Sequence, residues 1–369
     1  MLQFLIQYPG STYELADVIS DCGIRPYRTL VNSYKRMSAT PIQWKFFYHL
    51  SNTKLNEVCS NLHFRMMCGK HIKKRLEAHE PDVIVSVHPA MNHTPLKCNQ
   101  KISRDIGKHI PFFTVVTDLG SAHCMWFERK VDKLYVASER LYKLARRRGG
   151  TAHEDIVMTG LPIRHGFAVQ AEKLGGDRTS ERGIEYQKRV REELGIAPNK
   201  QMILVMGGGE GVGSLSDIVN NLYAELSTKG VDATVCVVCG RNENLQKELL
   251  TRNFDAATEE IMAKAERRQK GIRGLLGKVR KRNRVAARKA KEADASGEVA
   301  SEQIQKGKVD IMPLGFLTNI PEYMVAADVL VSKAGPGTIA EAAAVGLPIM
   351  MTRCVFFDFL QSIDRSTGS

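Results

Sequence analysis

QMILVMGGGEGVGS (201–214) reads as a short apolar strand running straight into a glycine loop. The residues that follow, SLSDIVNNLYAELSTKG (214–230), repeat apolar side chains at helical spacing and stop on Gly230, a residue suited to the left-handed turn after a helix. Strand, glycine loop, helix is the opening half of a βαβ unit, and the pattern continues. ATVCVVCGRN (233–242) is a strand followed by a helix from Glu243. After a long interruption come KVDIMPLGF (308–316), a helix around IPEYMVAA (320–327), the strand DVLVSKAG (328–335) and the helix PGTIAEAAAVG (336–346). Alternation of this kind predicts a parallel sheet covered on both faces by helices.

The same alternation appears upstream. DVIVSVHP (82–89) and FFTVVTDL (112–119) are short, β-branched runs bounded by proline or glycine, as buried parallel strands are. CNQKISRDIGKHI (98–110) between them has the polarity and length of a crossover helix. The expectation is an α/β chain of two doubly wound domains. Residues 1–163 form the first and 193–352 the second, joined by a linker, 164–192, that contains the polar stretch AEKLGGDRTSERG. An Ala/Lys/Arg/Glu-rich insert, 255–306, interrupts the second domain, and a divergent tail, 353–369, follows it.

Charge is concentrated rather than spread. Residues 264–291 hold 13 of the 53 Lys/Arg and one acid, Glu266, so they carry +12 of the formal +13 and leave +1 for everything else. Such a run reads as a solvated face, as an anchor for an anionic membrane, or as a nucleic-acid contact. No aromatic residue in the insert offers a base a stacking platform, and no binding module surrounds it, so no nucleic-acid partner is expected. On the membrane reading Leu275 and Leu276 dip into the interface. No apolar run is long enough to span a bilayer, and MLQFLIQYP (1–9) has neither the length nor the basic start of a signal peptide.

The eight cysteines follow no disulfide framework. Cys236 and Cys239 form a C-x-x-C, but within an apolar strand and with no second pair, so they are expected as buried thiols and not as zinc ligands.

Two loops carry the chemistry of the second domain. Gly207, Gly208, Gly209, Gly211 and Gly213 leave a strand and enter a helix. Glycines there let backbone amides approach an anion, although a tight structural turn explains such a run equally well. Lys333, Gly335, Pro336, Gly337 and Thr338 again join strand to helix, with free amides and a positive dipole suited to a diphosphate. Glu341 lies one turn on, placed to meet a ribose hydroxyl pair. Two such loops in one domain favour a nucleotide ligand.

GGGEGVG, CGRN, the GF before the PEYMVAAD helix, and KAGPGTIAEAAAVGLPI together resemble the donor domain of monogalactosyldiacylglycerol synthases. PDVIVSVHPAMNHTPL (81–96), FTVVTDLGSAHCMWF (113–127) and TGLPIR (159–164) resemble the acceptor domain of the same enzymes. The likeness covers about residues 20–352, insert excepted. It implies a GT-B fold, two Rossmann-like domains facing a cleft, and inverting transfer of galactose from UDP-galactose to 1,2-diacylglycerol, with no metal and no cofactor. It implies donor contacts from the glycine loop, Arg241, Phe316 and the Lys333–Glu341 element. The implied acceptor side is built around His88, His93 and Asp118 as catalytic candidates, with Pro89, Trp126 and Phe127 as an acceptor or membrane wall. Peripheral attachment to the chloroplast envelope is the implied location.

The alternatives are a diacylglycerol glucosyltransferase, or an inactive fragment that binds nucleotide-sugar or anionic lipid. Nothing before Pro81 matches the glycine-rich loop that ends in the family's catalytic histidine. Nor does TRCVFFDFLQSIDRSTGS (352–369) match the segment that holds the sugar hydroxyls. Both ends are therefore expected to be cut.

Overall fold

The computed structural model describes residues 8–17, 29, 33, 41–207, 215–264, 267, 306–333 and 335–352. Almost all of 264–291, the glycine loop beyond Gly207, and the tail from 353 lie outside the described residues. The chain divides into two compact units, one built on residues up to His165 together with Pro336–Ala340, the other on Gly166–Gly335 and Glu341–Cys354.

The first unit opens with two helices, α1 (Pro41–Ser51) and α2 (Lys54–His79). Thr53 caps α2 by accepting a hydrogen bond from the Asn56 amide, and Glu80 ends it in the left-handed conformation, φ 43°, just before Pro81. Four parallel strands follow in simple order: β1 (Ile84–Ser86), β2 (Phe112–Val115), β3 (Lys133–Val136) and β4 (Ile156–Met158). Helix α3 (His93–Ile106) crosses from β1 to β2. It buries Leu96, Asn99 and Ile102 at three- and four-residue spacing, and stops at Gly107 with a left-handed C-cap. Helix α4 (Glu139–Leu144), capped by Ser138, joins β3 to β4. The core beneath this sheet is Phe112, Val116, Trp126, Phe127, Leu134, Val136 and Leu141.

The second unit begins where a linker is expected. Residues 164–192 instead supply helices α5 (His165–Lys173) and most of α6 (Glu181–Glu193). The reason is an apolar stripe hidden among polar letters: Phe167, Leu174, Tyr186 and Val190 are all buried. The glycines that suggested a flexible joint, Gly175 and Gly176, serve as left-handed stops after α5, φ +74° and +80°.

Five parallel strands form the second sheet in the order β7-β6-β5-β8-β9. They are β5 (Gln201–Met206), β6 (Ala233–Val238), β7 (Val309–Leu314), β8 (Val329–Ser332) and β9 (Ile349–Met351). Helices α7 (Leu215–Thr228), α8 (Glu243–Thr251), α9 (Ile320–Ala326) and α10 (Pro336–Ala344) intervene. The order reverses at β5: β6 and β7 lie to one side, β8 and β9 to the other. That is the doubly wound arrangement, and its switch point lies between β5 and β8. Pro313 sits within β7 because β7 is an edge strand and needs no second row of donors. Cys236 and Cys239 are fully buried in and beside β6, and burial pushes the Cys236 thiol up to about 12.

Candidate functional site

Polar chemistry in the first unit gathers at the carboxyl ends of β1 and β2. After β1 the chain turns through His88 and Pro89, where His88 Nδ1 accepts from the Ala90 amide at 3.3 Å. Asn92 is completely buried and ties three segments together. Its amide nitrogen donates to the Pro89 and Met125 carbonyls, and its oxygen accepts from the Thr114 hydroxyl on β2. That lock fixes where α3 starts, and so fixes His93, the first residue of α3. His93 Nδ1 meets Glu128 Oε1 at 2.8 Å.

Asp118 leaves the end of β2 and accepts the Trp126 indole N–H at 2.8 Å. Burial pushes its carboxyl above the ordinary aspartate value, with the indole bond offsetting part of the rise. Tyr48 of α1 reaches the same region. Its phenol is pushed up first by burial and then by the negative charge of Asp118. His123 Nδ1 accepts from the Met125 amide, so Nε2 carries the proton and donates to Ser51 Oγ at 3.2 Å. Burial, aided by the Arg148 charge, lowers its pKa. Partial desolvation also lowers that of His88, a residue that nevertheless stays exposed.

Of the residues expected here, His88, Pro89, His93 and Asp118 therefore share one sheet edge. Trp126 and Phe127 do not form an exposed lipid wall: they are 2% and 5% accessible and belong to the core. The indole N–H has an internal acceptor, which removes the usual reason for a buried tryptophan to reach an interface. Tyr48, Asn92, His123 and Glu128 were not singled out from sequence. Asn92 and His123 lie inside the quoted motifs and could have been. Tyr48 and Glu128 carry no local signal, because only the tertiary fold brings them in.

In the second unit the switch point receives the ends of β5 and β8. Gly207 follows β5, while Gly208, Gly209, Gly211 and Gly213 lie outside the described residues, as do Leu275 and Leu276. After β8, Gly335 is the N-cap of α10 and Pro336 its first residue, and no side chain caps the helix. A Cβ added at Gly337 would meet nothing within 4 Å. Packing therefore does not require glycine there, and the open space lies beside the uncapped amides. Glu341 is buried in the following turn. At the ends of the neighbouring strands, the Arg241 guanidinium lies 5.5 Å from the ring centre of Phe316, an aromatic that is 65% exposed.

A family model described as Monogalactosyldiacylglycerol (MGDG) synthase matches residues 4–163, and one described as Glycosyltransferase family 28 C-terminal domain matches residues 275–352. Residues 4–163 are thus similar to the monogalactosyldiacylglycerol synthases, and residues 275–352 to the C-terminal domain of family 28 glycosyltransferases. Monogalactosyldiacylglycerol synthase 1 of Arabidopsis thaliana is 27% identical over 347 residues, covering 93% of this chain and 52% of that protein. The monogalactosyldiacylglycerol synthase of Spinacia oleracea is 26% identical over 347 residues, covering 93% and 53%. Both are described as chloroplastic, and the chain spans about half the length of each. Among solved structures, MurG of Acinetobacter baumannii aligns with a TM-score of 0.42 at 12% identity, covering 81% of this chain and 60% of that one. WaaG, a glycosyltransferase involved in lipopolysaccharide biosynthesis, aligns at 0.37 and 13%, covering 79% of each. Likenesses that remote carry no argument here. The described residues include no helix long and apolar enough to cross a membrane.

Proposed function

We propose that this chain is a membrane-surface galactosyltransferase that moves galactose from UDP-galactose to the free hydroxyl of 1,2-diacylglycerol with inversion, giving a β-linked galactolipid. The observation that carries this reading is the switch point of the second sheet, where an uncapped helix follows a glycine turn within the stretch matched by the family 28 C-terminal domain. The α10 amides and Lys333 would hold the diphosphate and stabilise it as it departs. The Arg241–Phe316 pair would contact the nucleotide or its sugar.

On the acceptor side, a base at the His88–His93–Asp118 edge would take the glycerol hydroxyl proton as the oxygen attacks the anomeric carbon. The basic stretch 264–291 would hold the protein against anionic lipid at about 1 kcal/mol per cation close to the surface. The surface would be that of the chloroplast envelope, a reading supported by relatives described as chloroplastic.

The test is transfer of label from UDP-galactose, beside UDP-glucose, into diacylglycerol held in anionic liposomes, with and without EDTA. Galactose transfer that persists in EDTA supports the reading. Preferential glucose transfer would replace the sugar, and transfer that stops in EDTA would overturn the metal-free chemistry. No transfer by folded, vesicle-bound protein would leave a binding protein.

A further inference from the structure

We propose that His123 is the pin of an acid-released latch. While its ring is neutral it docks the α1–α2 helix pair on the loop between β2 and β3, and it lets the pair go when the ring takes a second proton. The inference concerns the first unit alone and stands independently of the transfer reaction.

The joint is built from hydrogen bonds. His123 caps the short 3-10 helix Cys124–Trp126, where its Nδ1 accepts from the Met125 amide at 3.3 Å. Its Nε2 meets the hydroxyl of Ser51, the last residue of α1, at 3.2 Å. The direction of that bond is fixed. The Ser51 hydroxyl already donates to the Tyr48 carbonyl at 3.0 Å, so it presents a lone pair to the ring. One residue on, Asn52 Oδ1 accepts twice, from the Cys124 amide at 2.8 Å and from Arg148 Nη1 at 3.0 Å. The Tyr48 ring stands edge-on to the imidazole, with centroids 6.0 Å apart. Phe46 and Leu50 on α1, and Leu55 and Val58 at the start of α2, are all more than half exposed, so these side chains add little apolar burial to the docking.

In the neutral ring both nitrogens are committed, one as acceptor and one as donor. A second proton goes to Nδ1 and turns the acceptor into a donor. It then points at the Met125 N–H and at the Cys124 thiol, 3.8 Å away. The charged ring also lies near Arg148, whose positive charge acts with burial to hold the His123 pKa below its ordinary value. The Ser51 contact favours the charged ring, and it is the weakest of the three.

The other titratable groups around the joint are Tyr48 and Glu57 from the two helices, and Asp118 and Cys124 from the loop. Burial raises the Tyr48 phenol, and it raises the Cys124 thiol, bonded to Glu57, to about 12. Neither carries charge in the range where His123 titrates. The docked form has the lower pKa, so the latch is closed above the ordinary histidine value of about 6.5. Below it the open fraction grows by up to about tenfold per pH unit, until the docked pKa is reached.

The test is amide hydrogen exchange read by mass spectrometry on the full chain between pH 5 and 8, each rate referred to that of an unstructured peptide at the same pH. Protection of residues 42–58 is expected to fall about tenfold or more between pH 7.5 and pH 5, while α3 and β3 keep theirs. His123→Asn keeps an acceptor for the Met125 amide and cannot be charged, so its protection over 42–58 should stay level. Arg148→Gln should shrink the acid loss, because removing the neighbouring charge narrows the gap between the docked and released pKa. A merely structural role for His123 would not produce either pH profile. Level protection in wild type, an undiminished acid loss in His123→Asn, or a fall shared equally by α3 and β3 overturns the proposal. Should His123→Asn not fold, Arg148→Gln decides: an acid loss equal to or greater than that of wild type overturns the latch.

Discussion

Asp118 shows how far a single residue can be read from sequence. That a carboxylate follows β2 was legible in TDL, because polar letters after an apolar strand mark the functional edge of a parallel sheet. That Trp126 would turn inward and donate to it was not legible, since a sequence does not show whether an indole finds an internal acceptor. Because burial raises the Asp118 pKa above its unfolded value, its contribution to stability is full below the unfolded value and is lost as pH rises through the folded one. Asp118→Asn removes a desolvated charge while keeping an acceptor for the indole. Its Tm at pH 7 is expected to equal or exceed that of wild type, which differential scanning calorimetry would check. His123 has the opposite sign. Its folded pKa is depressed, so its contribution is present above about 6.5 and is lost as pH falls through the folded value. Gly149 is a packing requirement that sequence reading passed over. A Cβ there would lie 2.6 Å from Phe127 Cβ, against the core of the first unit. Gly149→Ala should cost about 1–3 kcal/mol in urea unfolding.

Elements were legible in proportion to their length and pattern. The six-residue strands β5 and β6 and the amphipathic α3 and α7 stood out in the sequence, whereas β3, β4 and β9 are three or four residues long and depend on their partners. The helices within 164–192 are hidden in the sequence because charged letters there outnumber the few apolar ones that bury. Its polar turn performs a specific task. Arg178 donates to the Val345 carbonyl at the end of α10 and to the Val325 and Ala327 carbonyls at the end of α9. Gln187 fixes it from both sides, accepting from its guanidinium and donating to its carbonyl. A cation at these two helix ends satisfies orphan carbonyls and opposes the dipoles. Arg178→Ala should therefore cost on the order of 3 kcal/mol and weaken UDP binding through a loosened α10, readable by calorimetry on the folded variant. At the end of α2, Glu80 holds a left-handed conformation that glycine adopts without strain. Glu80→Gly is expected to raise stability by about 1 kcal/mol.

For the whole molecule, the sequence revealed two rounds of βα alternation but not which strands would be neighbours. Strand order is decided by which crossovers pack, and no local pattern records that. The concentrated charge does yield a prediction at this scale. If 264–291 is the anchor, binding to anionic vesicles should weaken steeply between 50 and 500 mM salt, and deletion of that stretch should abolish it in a sedimentation assay. The reversed order of the second sheet has a consequence in time. The Met202 amide within β5 is secured by Asp328, 126 positions later in the chain, and β5 pairs with β8 on that side. During synthesis β5 can meet β6 and then β7, but its other flank stays bare until the ribosome has delivered everything through β8. The nascent chain thus passes through a stage with an apolar strand edge on display, when holdase chaperones would be most needed and premature pairing with another copy most damaging.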